Sequence, residues 1–432
     1  MVGTAAILLF VVFLGAIVLA VPIATSMVLG SLAPILLTGK GGSVLALINN
    51  TYAGADSTPI LAVPLFILGG VIMAEGGISR RLFNFFSYFV GKFRGGIPCA
   101  VIVTCLFYGA ISGSGPATTA AVGSMTIPFL VSLGYEKKFS AAIVAVSGGL
   151  GVIIPPSIPF VLYGLATNVS VGRLFLAGII PGILIGVFMM AYAVFYCRKH
   201  GEDREKIDAR LAELKGNGLW HLFKDSFLAL LCPVIILGGI YSGLFTPTEA
   251  AGVSVIYALI VSFFFYKSIK LKDLWNMFCS AVKTYGGLAF VLAFAIAFAR
   301  VLSFTNVTTL VKDFLVNTFG NKYALLTVLV ILFLLLGMVM DTGPAIVILS
   351  PVMLPAVQQL GVNEFHFGVI LVCCLSIGLA TPPFGLDLFV AANLAKDEPM
   401  PIAKKALPFM IMFAIALFLI TYVPFFSTIL LG

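Results

Sequence analysis

The chain has 432 residues, of which 61% are hydrophobic and 10% are charged. Soluble globular proteins carry about 25% charged residues, so this composition excludes a sizeable soluble domain and indicates a protein that crosses the membrane many times. The net charge of +8 does not indicate nucleic-acid binding, because the basic residues form short clusters between apolar runs, the pattern that orients membrane proteins.

The first hundred residues predict three membrane spans and one interfacial helix. The apolar runs at about 5–20, 22–37 and 58–76 predict the spans. No basic residue precedes the first run, so we interpret it as a membrane helix and not as a cleaved signal peptide. Residues 78–96 set four basic side chains among aromatic ones, which is typical of a helix that lies in the membrane interface.

The next two apolar segments are interrupted by glycine, serine and proline. We interpret residues 97–133 as a re-entrant hairpin with its tip at 112–115. Residues 139–165 predict a crossing helix that is broken at 148–156. Hydrocarbon tolerates such backbone breaks only where they are buried in protein or line a water-filled cavity.

The middle of the chain predicts ordinary spans around one polar segment. The spans are predicted at about 174–196, 226–245, 249–266 and 277–299. The polar segment at 198–225 mixes basic and acidic residues, which is typical of a solvated helical loop. A mildly amphipathic stretch at 301–320 predicts a second interfacial helix.

The C-terminal part predicts a second hairpin, a second broken helix and a last span. The hairpin covers 323–360 with its tip at 341–344, and the broken helix covers 366–395 with its interruption at 378–383. The last span is predicted at about 407–430.

These two pairs of interrupted segments are copies of one another. Residues 115–117 and 343–345 both read Gly-Pro-Ala, and the Pro-Pro pair at 155–156 recurs at 382–383. Paired interruptions at matching positions of two halves indicate a secondary transporter with its site near the membrane midplane.

The distribution of Lys and Arg predicts the orientation. If residues 198–225 are cytoplasmic, most of the 25 basic residues fall on the cytoplasmic side, as the positive-inside rule requires. The first hairpin then has both ends inside and the second both ends outside. The copies are therefore expected to be inverted, with both termini in the periplasm.

The hairpin tips and the breaks that face them carry oxygen atoms suited to a cation. The first tip offers Ser112 and Ser114, and the second offers Asp341 and Thr342. Unwound carbonyls coordinate Na⁺ in transporters, and half-helix N-termini attract anionic substrate groups. The sequence thus predicts a pair of sodium sites. The alternative is that the glycines only permit close helix packing and the prolines only kink helices.

Three ionisable residues in apolar surroundings could serve a substrate. The repeat counterparts of Asp341 and Asp387 are Gly113 and Phe160, so the two sites are not chemically equivalent. Asp387 either faces the substrate cavity or is paired internally. Arg300 either meets a substrate carboxylate or anchors its helix by reaching to the membrane surface.

No enzyme motif accompanies these residues. The sequence contains neither a His-Glu-x-x-His zinc motif nor a Walker A loop, so we expect no enzyme activity and no ATP hydrolysis by this chain. The energy for transport is expected from an ion gradient or from another subunit.

The motifs together resemble one known family. They read SGSGPATTAAVGSMTIP and GLGVIIPPSIPFVLYG in the first copy, and GMVMDTGPAIVILSPVMLP and GLATPPFGLDLF in the second. Over essentially its whole length the chain resembles the large membrane (M) subunit of tripartite ATP-independent periplasmic (TRAP) transporters, some of which transport sialic acid.

The resemblance implies an all-α, ion-transporter-like fold with an inverted repeat, an elevator motion and sodium coupling in the bacterial inner membrane. It also implies a small four-helix membrane subunit, a periplasmic substrate-binding protein and an organic acid substrate such as sialic acid or a C4-dicarboxylate.

The resemblance further implies a layout of scaffold and transport domains. It assigns scaffold helices and a first interfacial arm to 1–96, and the first repeat of the transport domain to 97–170. Scaffold helices with the cytoplasmic loop and a second arm fall at 171–320, the second repeat at 321–396, and a C-terminal helix at 397–432.

Carried over by motif, the sodium ligands lie at the tips and breaks. In the first copy they are Ser112, Gly113, Ser114, Gly115, Ser147, Gly149, Gly151, Val152 and Pro155. In the second copy they are Gly337, Asp341, Thr342, Gly378, Thr381 and Phe384. The expected substrate ligands are Ser157, Asp387 and Arg300.

Two other functions remain open at this point. One is a stand-alone sodium/carboxylate or anion transporter of similar fold, which needs no binding protein. The other is a membrane scaffold or channel without coupled transport, which leaves the inverted interruptions unexplained.

Overall fold

Helices form almost all of the structure, a computed structural model that describes residues 2–216 and 218–432. The N-terminal helices are α1 (Val2–Val18), α2 (Ile23–Thr38), α3 (Val44–Ala55), α4 (Ala62–Glu75) and α5 (Ile78–Val90). The sequence did not predict α3, because Asn49, Asn50 and Thr51 interrupt its apolar pattern. The side chain of Ser43 caps this helix by accepting a hydrogen bond from the Ala46 amide at 3.1 Å.

Helix α5 has the form expected of an interfacial helix. It is bent by 66° from α4, and it buries Ile78, Leu82 and Phe83 while Arg80 is exposed. One apolar face and one basic face suit the boundary between lipid and water.

The first hairpin consists of α6 (Gly96–Ser112) and α7 (Gly115–Ser132). The broken helix after it consists of α8 (Lys137–Gly148), a 3-10 turn at Gly149–Val152 and α9 (Ile158–Thr167). Both interruptions lie where glycine and proline predicted them.

The middle helices are α10 (Val171–His200), α11 (Arg204–Gly216), α12 (Leu219–Tyr241), α13 (Pro247–Ile260), α14 (Leu271–Phe304) and α15 (Val307–Phe319). Two predicted boundaries are wrong. Helix α12 begins within the segment assigned to the polar loop. Helix α14 begins six residues before its predicted start at 277 and takes in the first residues of the predicted interfacial stretch. With 34 residues, α14 is about 50 Å long, well beyond a hydrocarbon core of about 30 Å.

The second copy repeats the first. Its hairpin is α16 (Lys322–Gly337) and α17 (Thr342–Gln359), and its broken helix is α18 (Glu364–Gly378) and α19 (Leu386–Ala395). The chain continues with α20 (Pro399–Tyr422) and the short α21 (Phe425–Thr428). The last span thus begins eight residues before its predicted start, because Pro399 opens the helix in the first-turn position that proline favours.

The two repeats interlock. Helix α9 of the first repeat packs against α17 of the second, and α19 of the second packs against α7 and α8 of the first. Helix α20 packs against α8 and α18, and α10 packs against α6, α18 and α20. Helix α14 packs instead against α2, α3 and α4. The second half of each broken helix therefore belongs spatially to the other repeat's hairpin.

Several helices are long and apolar enough to cross a bilayer. Among the described residues these are Val171–His200, Leu219–Tyr241, Pro247–Phe265, Leu271–Phe304 and Pro399–Tyr422. Helices α15 and α16 are also apolar as a pair but bend by 118° at their junction, which places α15 across the direction of the hairpin.

Candidate functional site

The first hairpin tip is tied to the break that faces it. Gly113 adopts the left-handed conformation (φ 62°) that glycine allows without strain, and it ends α6 there. The Gly113 carbonyl accepts a hydrogen bond from the Ile158 amide at 3.2 Å. The Ser112 and Thr118 hydroxyls are 2.8 Å apart, so the two half-helices are also joined through their side chains.

The second tip uses a carboxylate where the first uses glycine. Asp341 Oδ1 caps α17 by accepting a hydrogen bond from the Thr342 amide at 2.7 Å. The Phe384 amide donates to the Met338 carbonyl at 3.2 Å, which ties this tip to its own break. The two tips share an architecture but differ by one carboxylate.

Four glycines permit backbone contact between each hairpin and its break. A methyl group on Gly109 would lie 2.5 Å from the Gly151 Cα, and one on Gly378 would lie 2.3 Å from the Gly337 carbonyl carbon. Gly109 and Gly337 hold equivalent repeat positions, as do Gly151 and Gly378. Close packing is thus a real role of these glycines, and it brings their carbonyl groups to the breaks.

The donor set suits a hard cation such as Na⁺. Carbonyl and hydroxyl oxygens predominate at both breaks, and such oxygens are the ligands that hard cations prefer. The Ser147 hydroxyl at the first break is fully buried and has no hydrogen-bond partner among the described residues. At the second break the Thr381 hydroxyl donates to the Ile377 carbonyl at 2.7 Å, which leaves its oxygen lone pairs for another partner. The residues predicted from the motifs therefore fit a cation.

Both tips open into one cavity of about 500 Å³. The tips contribute Gly113, Ser114, Asp341, Thr342 and Gly343 to its lining. Because α7 and α17 begin at these tips, two helix N-termini meet at the cavity, and their partial positive charges favour an anion.

Polar residues of α4 and α14 face the tips across the same cavity. They are Glu75, Ser280 and Thr284, and sequence reasoning did not select them because they lie outside the interrupted segments. The cavity is thus bounded by both repeats and by helices outside them.

The three predicted substrate ligands are not brought together. Ser157 is fully buried; its hydroxyl caps α9 by accepting a hydrogen bond from the Phe160 amide at 3.3 Å, and it donates to the Val152 carbonyl at 2.5 Å. Asp387 is also fully buried and does not line the cavity of the tips. Arg300 is exposed and lines a separate cavity of about 270 Å³, together with Asn168 and Ser303.

A contact between the repeats was missed at the sequence level. The Ser376 hydroxyl of the second break donates to the Gly149 carbonyl of the first at 2.7 Å. The sequence held one indication of this contact, which is that Ser147 and Ser376 each stand just before a glycine-containing break. The breaks of the two repeats are therefore in direct contact with one another.

Comparison with known protein families gives one match over most of the chain. Residues 10–426 match the family described as the tripartite ATP-independent periplasmic transporter, DctM component. The chain is 40% identical to the isethionate TRAP transporter permease protein DctMQ of Oleidesulfovibrio alaskensis, over 94% of this chain but only 63% of that relative.

Two other relatives align with this chain over most or nearly all of their length. The chain is 37% identical to the C4-dicarboxylate TRAP transporter large permease protein DctM of Pseudomonas aeruginosa, over 88% of each chain. It is 32% identical to the sialic acid TRAP transporter large permease protein SiaM of Vibrio cholerae, over 97% of this chain and 96% of that one.

Solved transporters share the fold. The YdaH transporter of Alcanivorax borkumensis superimposes with a TM-score of 0.61 at 16% identity, over 87% of this chain and 86% of that one. MtrF of Neisseria gonorrhoeae superimposes with a TM-score of 0.63 at 14% identity, over 90% of this chain and 85% of that one. The predicted fold class, an all-α inverted repeat with two hairpins and two broken helices, is confirmed.

Proposed function

Because the chain belongs to the DctM family of large permease components of TRAP transporters, we propose that it couples the uptake of a small organic acid to the entry of sodium. It is a multi-pass inner membrane protein and a transporter permease, not an enzyme. The family also implies a tripartite system with a small membrane subunit and a periplasmic binding protein. Uptake of a solute through that system follows from the family, and sodium coupling and the substrate class are our proposal.

One observation carries the proposal. Two half-helix N-termini and two oxygen-rich tips meet at a single cavity of about 500 Å³. The N-termini suit the carboxylate of a substrate, and the oxygens behind them suit Na⁺. Substrate and ion would therefore be bound by the same short segments.

The tips provide a reason for coupling. Gly113 and Gly115 leave two of the four positions of the first tip without side chains, and Asp341 sets the start of α17. A cation bound at either break would order the tip that lines the substrate cavity. Since a ligand shifts a conformational equilibrium only if it prefers one state, sodium would promote transport by favouring the ordered tip.

The motion we propose is an elevator. The two repeats would move together. Because α10 and α20 pack on them, we include these two helices in the mobile unit, which differs for α10 from the scaffold assignment of 171–320 given above. Helices α4 and α14, on the opposite wall of the cavity, would belong to the scaffold. The periplasmic protein would deliver substrate to the outward state, and the mobile unit would carry it to the cytoplasm.

Uptake into proteoliposomes tests the proposal. The chain and its small subunit would be reconstituted and supplied with binding protein, an inward sodium gradient and one labelled acid at a time: isethionate, a C4-dicarboxylate or sialic acid. We expect uptake of one class only when sodium and the binding protein are both present. Uptake without the binding protein would favour the stand-alone transporter, and uptake that ignores the sodium gradient would contradict sodium coupling.

Substitution of Thr381 by alanine tests the second sodium site. Thr381→Ala removes a hydroxyl from the break, and we expect the sodium concentration for half-maximal uptake to rise by about tenfold, the effect of losing one hydrogen-bond-strength contact. Thr421→Ala is the matched control, because Thr421 makes a similar bond, at 2.8 Å, to the Leu417 carbonyl one turn earlier in α20. Equal sodium dependence in both variants would overturn the assignment.

A further inference from the structure

Asp387 is a buried acidic residue of the second repeat whose side chain lies against the first repeat. It lies in the first turn of α19, and its side chain is fully buried. The Asp387 amide donates to the Leu379 carbonyl at 2.8 Å, which fixes its backbone to the second break. Its side chain, however, points at the first hairpin.

Two glycines of the first repeat locate the carboxylate. A methyl group on Gly115 would lie 2.9 Å from Asp387 Oδ2, and one on Gly148 would lie 3.2 Å from the same oxygen. The methyl group on Gly148 would also lie 1.7 Å from Thr119 Oγ1. The carboxylate and this hydroxyl therefore border one small space between α7, α8 and α19.

Among the described residues the Asp387 carboxylate has no cationic partner, and the hydroxyl nearest to it is that of Thr119. Neither carboxylate oxygen makes a hydrogen bond of normal geometry with the described residues, and the same is true of Thr119 Oγ1. The ion pairs of the described residues do not include Asp387 either. Burial of an unpaired carboxylate costs several kcal/mol, so a counter-charge or a proton is required there.

We propose that Asp387 supplies a carboxylate ligand to a sodium ion bound beside the first hairpin, so that both repeats hold one ion. Thr119 supplies a hydroxyl to the same ion. A charged ligand beside neutral hydroxyl oxygens is a donor set that favours a hard cation. This inference rests on the sodium coupling proposed above and adds to it a ligand from the opposite repeat.

The arrangement would make the two repeats respond to one binding event. Removal of the ion would leave the Asp387 charge buried and unpaired, so α19 would separate from α7. Binding would draw them together. The repeat counterpart of Asp387 is Phe160, which is fully buried and apolar, so the second hairpin has no equivalent ligand.

Equilibrium binding of radioactive sodium to the purified complex of this chain and its small subunit tests the inference. Binding would be measured against sodium concentration at constant ionic strength, with choline as the replacing cation. We expect Asp387→Asn to bind one sodium ion fewer than the unsubstituted complex. Thr119→Ala should bind the same ion at least about tenfold more weakly, since it retains the charge and loses one ligand.

Thr126→Ala is the matched control for Thr119→Ala. Thr126 is a buried threonine of the same helix whose hydroxyl donates to the Val122 carbonyl at 2.8 Å, and its loss should leave sodium binding unchanged. Size-exclusion chromatography of each complex checks folding. If Asp387→Asn does not fold, Asp387→Glu and Thr119→Ala carry the test.

The outcomes separate this inference from the function on which it rests. Unchanged sodium binding by Asp387→Asn, with a melting temperature at or above that of the unsubstituted complex, would show a protonated structural acid and overturn the inference alone. Absence of sodium binding by the unsubstituted complex would overturn sodium coupling as well.

Discussion

At Gly378 the backbones of α18 and α16 lie too close for any side chain to fit between them. The position matters because the carbonyl groups of the second break are presented from this contact. Its counterpart at Gly151 faces Gly109 in the same way. A site built on backbone oxygens depends on the distance between backbones, and glycine is the residue that sets that distance.

We therefore expect Gly378→Ala to destabilise the protein. The added methyl group would lie 2.3 Å and 2.4 Å from the Gly337 carbonyl carbon and oxygen, so one helix must shift, at a cost of roughly 2 kcal/mol or more. Gly252→Ala in α13 is the control, because no atom lies within 4 Å of the added carbon. Thermal unfolding of the purified complex should show a lower melting temperature for the first variant and an equal or higher one for the second. Equal stability of both would contradict the contact.

Among the elements, α5 is joined to the helices beside it by its buried apolar face and by the polar contacts of Arg81. Its guanidinium Nε lies 3.1 Å from Asp225 Oδ1 and its Cζ lies 3.6 Å from the centre of the Tyr266 ring. The Ser226 hydroxyl donates to the Arg81 carbonyl at 3.1 Å. These contacts fix α5 to the N-terminal part of α12, where Asp225 and Ser226 lie.

Arg81→Ala should lower the free energy of unfolding by about 1 kcal/mol, the sum of a half-exposed ion pair and a cation–π contact. Arg80→Ala, one position earlier on the exposed face, should change it little. Denaturation of the two variants in parallel measures the difference. A loss that is equal for both would mean that general charge, and not this contact, stabilises α5.

The hairpins and broken helices were predictable because glycine and proline interrupt the apolar pattern at matching positions of the two repeats. The structure places the hairpin tips and the helix breaks where these residues lie. The helix α3 and the full length of α14 were not, since polar residues inside an apolar run do not show whether the helix continues. The position of Asp387 was also beyond prediction. Its role depends on α19 packing against the other repeat, and no local pattern reports a tertiary partner.

For the whole molecule, the two cavities that lie along the first and second halves of α14 bear on its orientation in the membrane. Ser280 lines the cavity of the hairpin tips, and Ser303 lines the cavity that holds Arg300. The two serines are about 35 Å apart along the helix. Because the Ser280 end follows a basic run, the positive-inside rule predicts that this cavity opens to the cytoplasm.

Cysteine labelling checks this orientation. In a Cys279→Ser background, Ser280→Cys should react with a membrane-impermeant maleimide from the cytoplasmic side, and Ser303→Cys from the periplasmic side. The background is simple because the other six cysteines, all within the described residues, are buried. Labelling from the opposite sides would reverse the orientation, and labelling of both from one side would contradict the placement of the cavities.

The exchange of α9 and α19 also bears on the origin of the chain. Neither repeat could bury its apolar surfaces alone, because α9 of the first packs against the second and α19 of the second packs against the first. Two identical half-length chains, inserted into the membrane in opposite directions, would satisfy the same contacts as a homodimer. Duplication and fusion of a gene for such a dual-topology dimer would produce this arrangement. Asp387 in one repeat and Phe160 in the other would then mark a position at which the two copies have diverged.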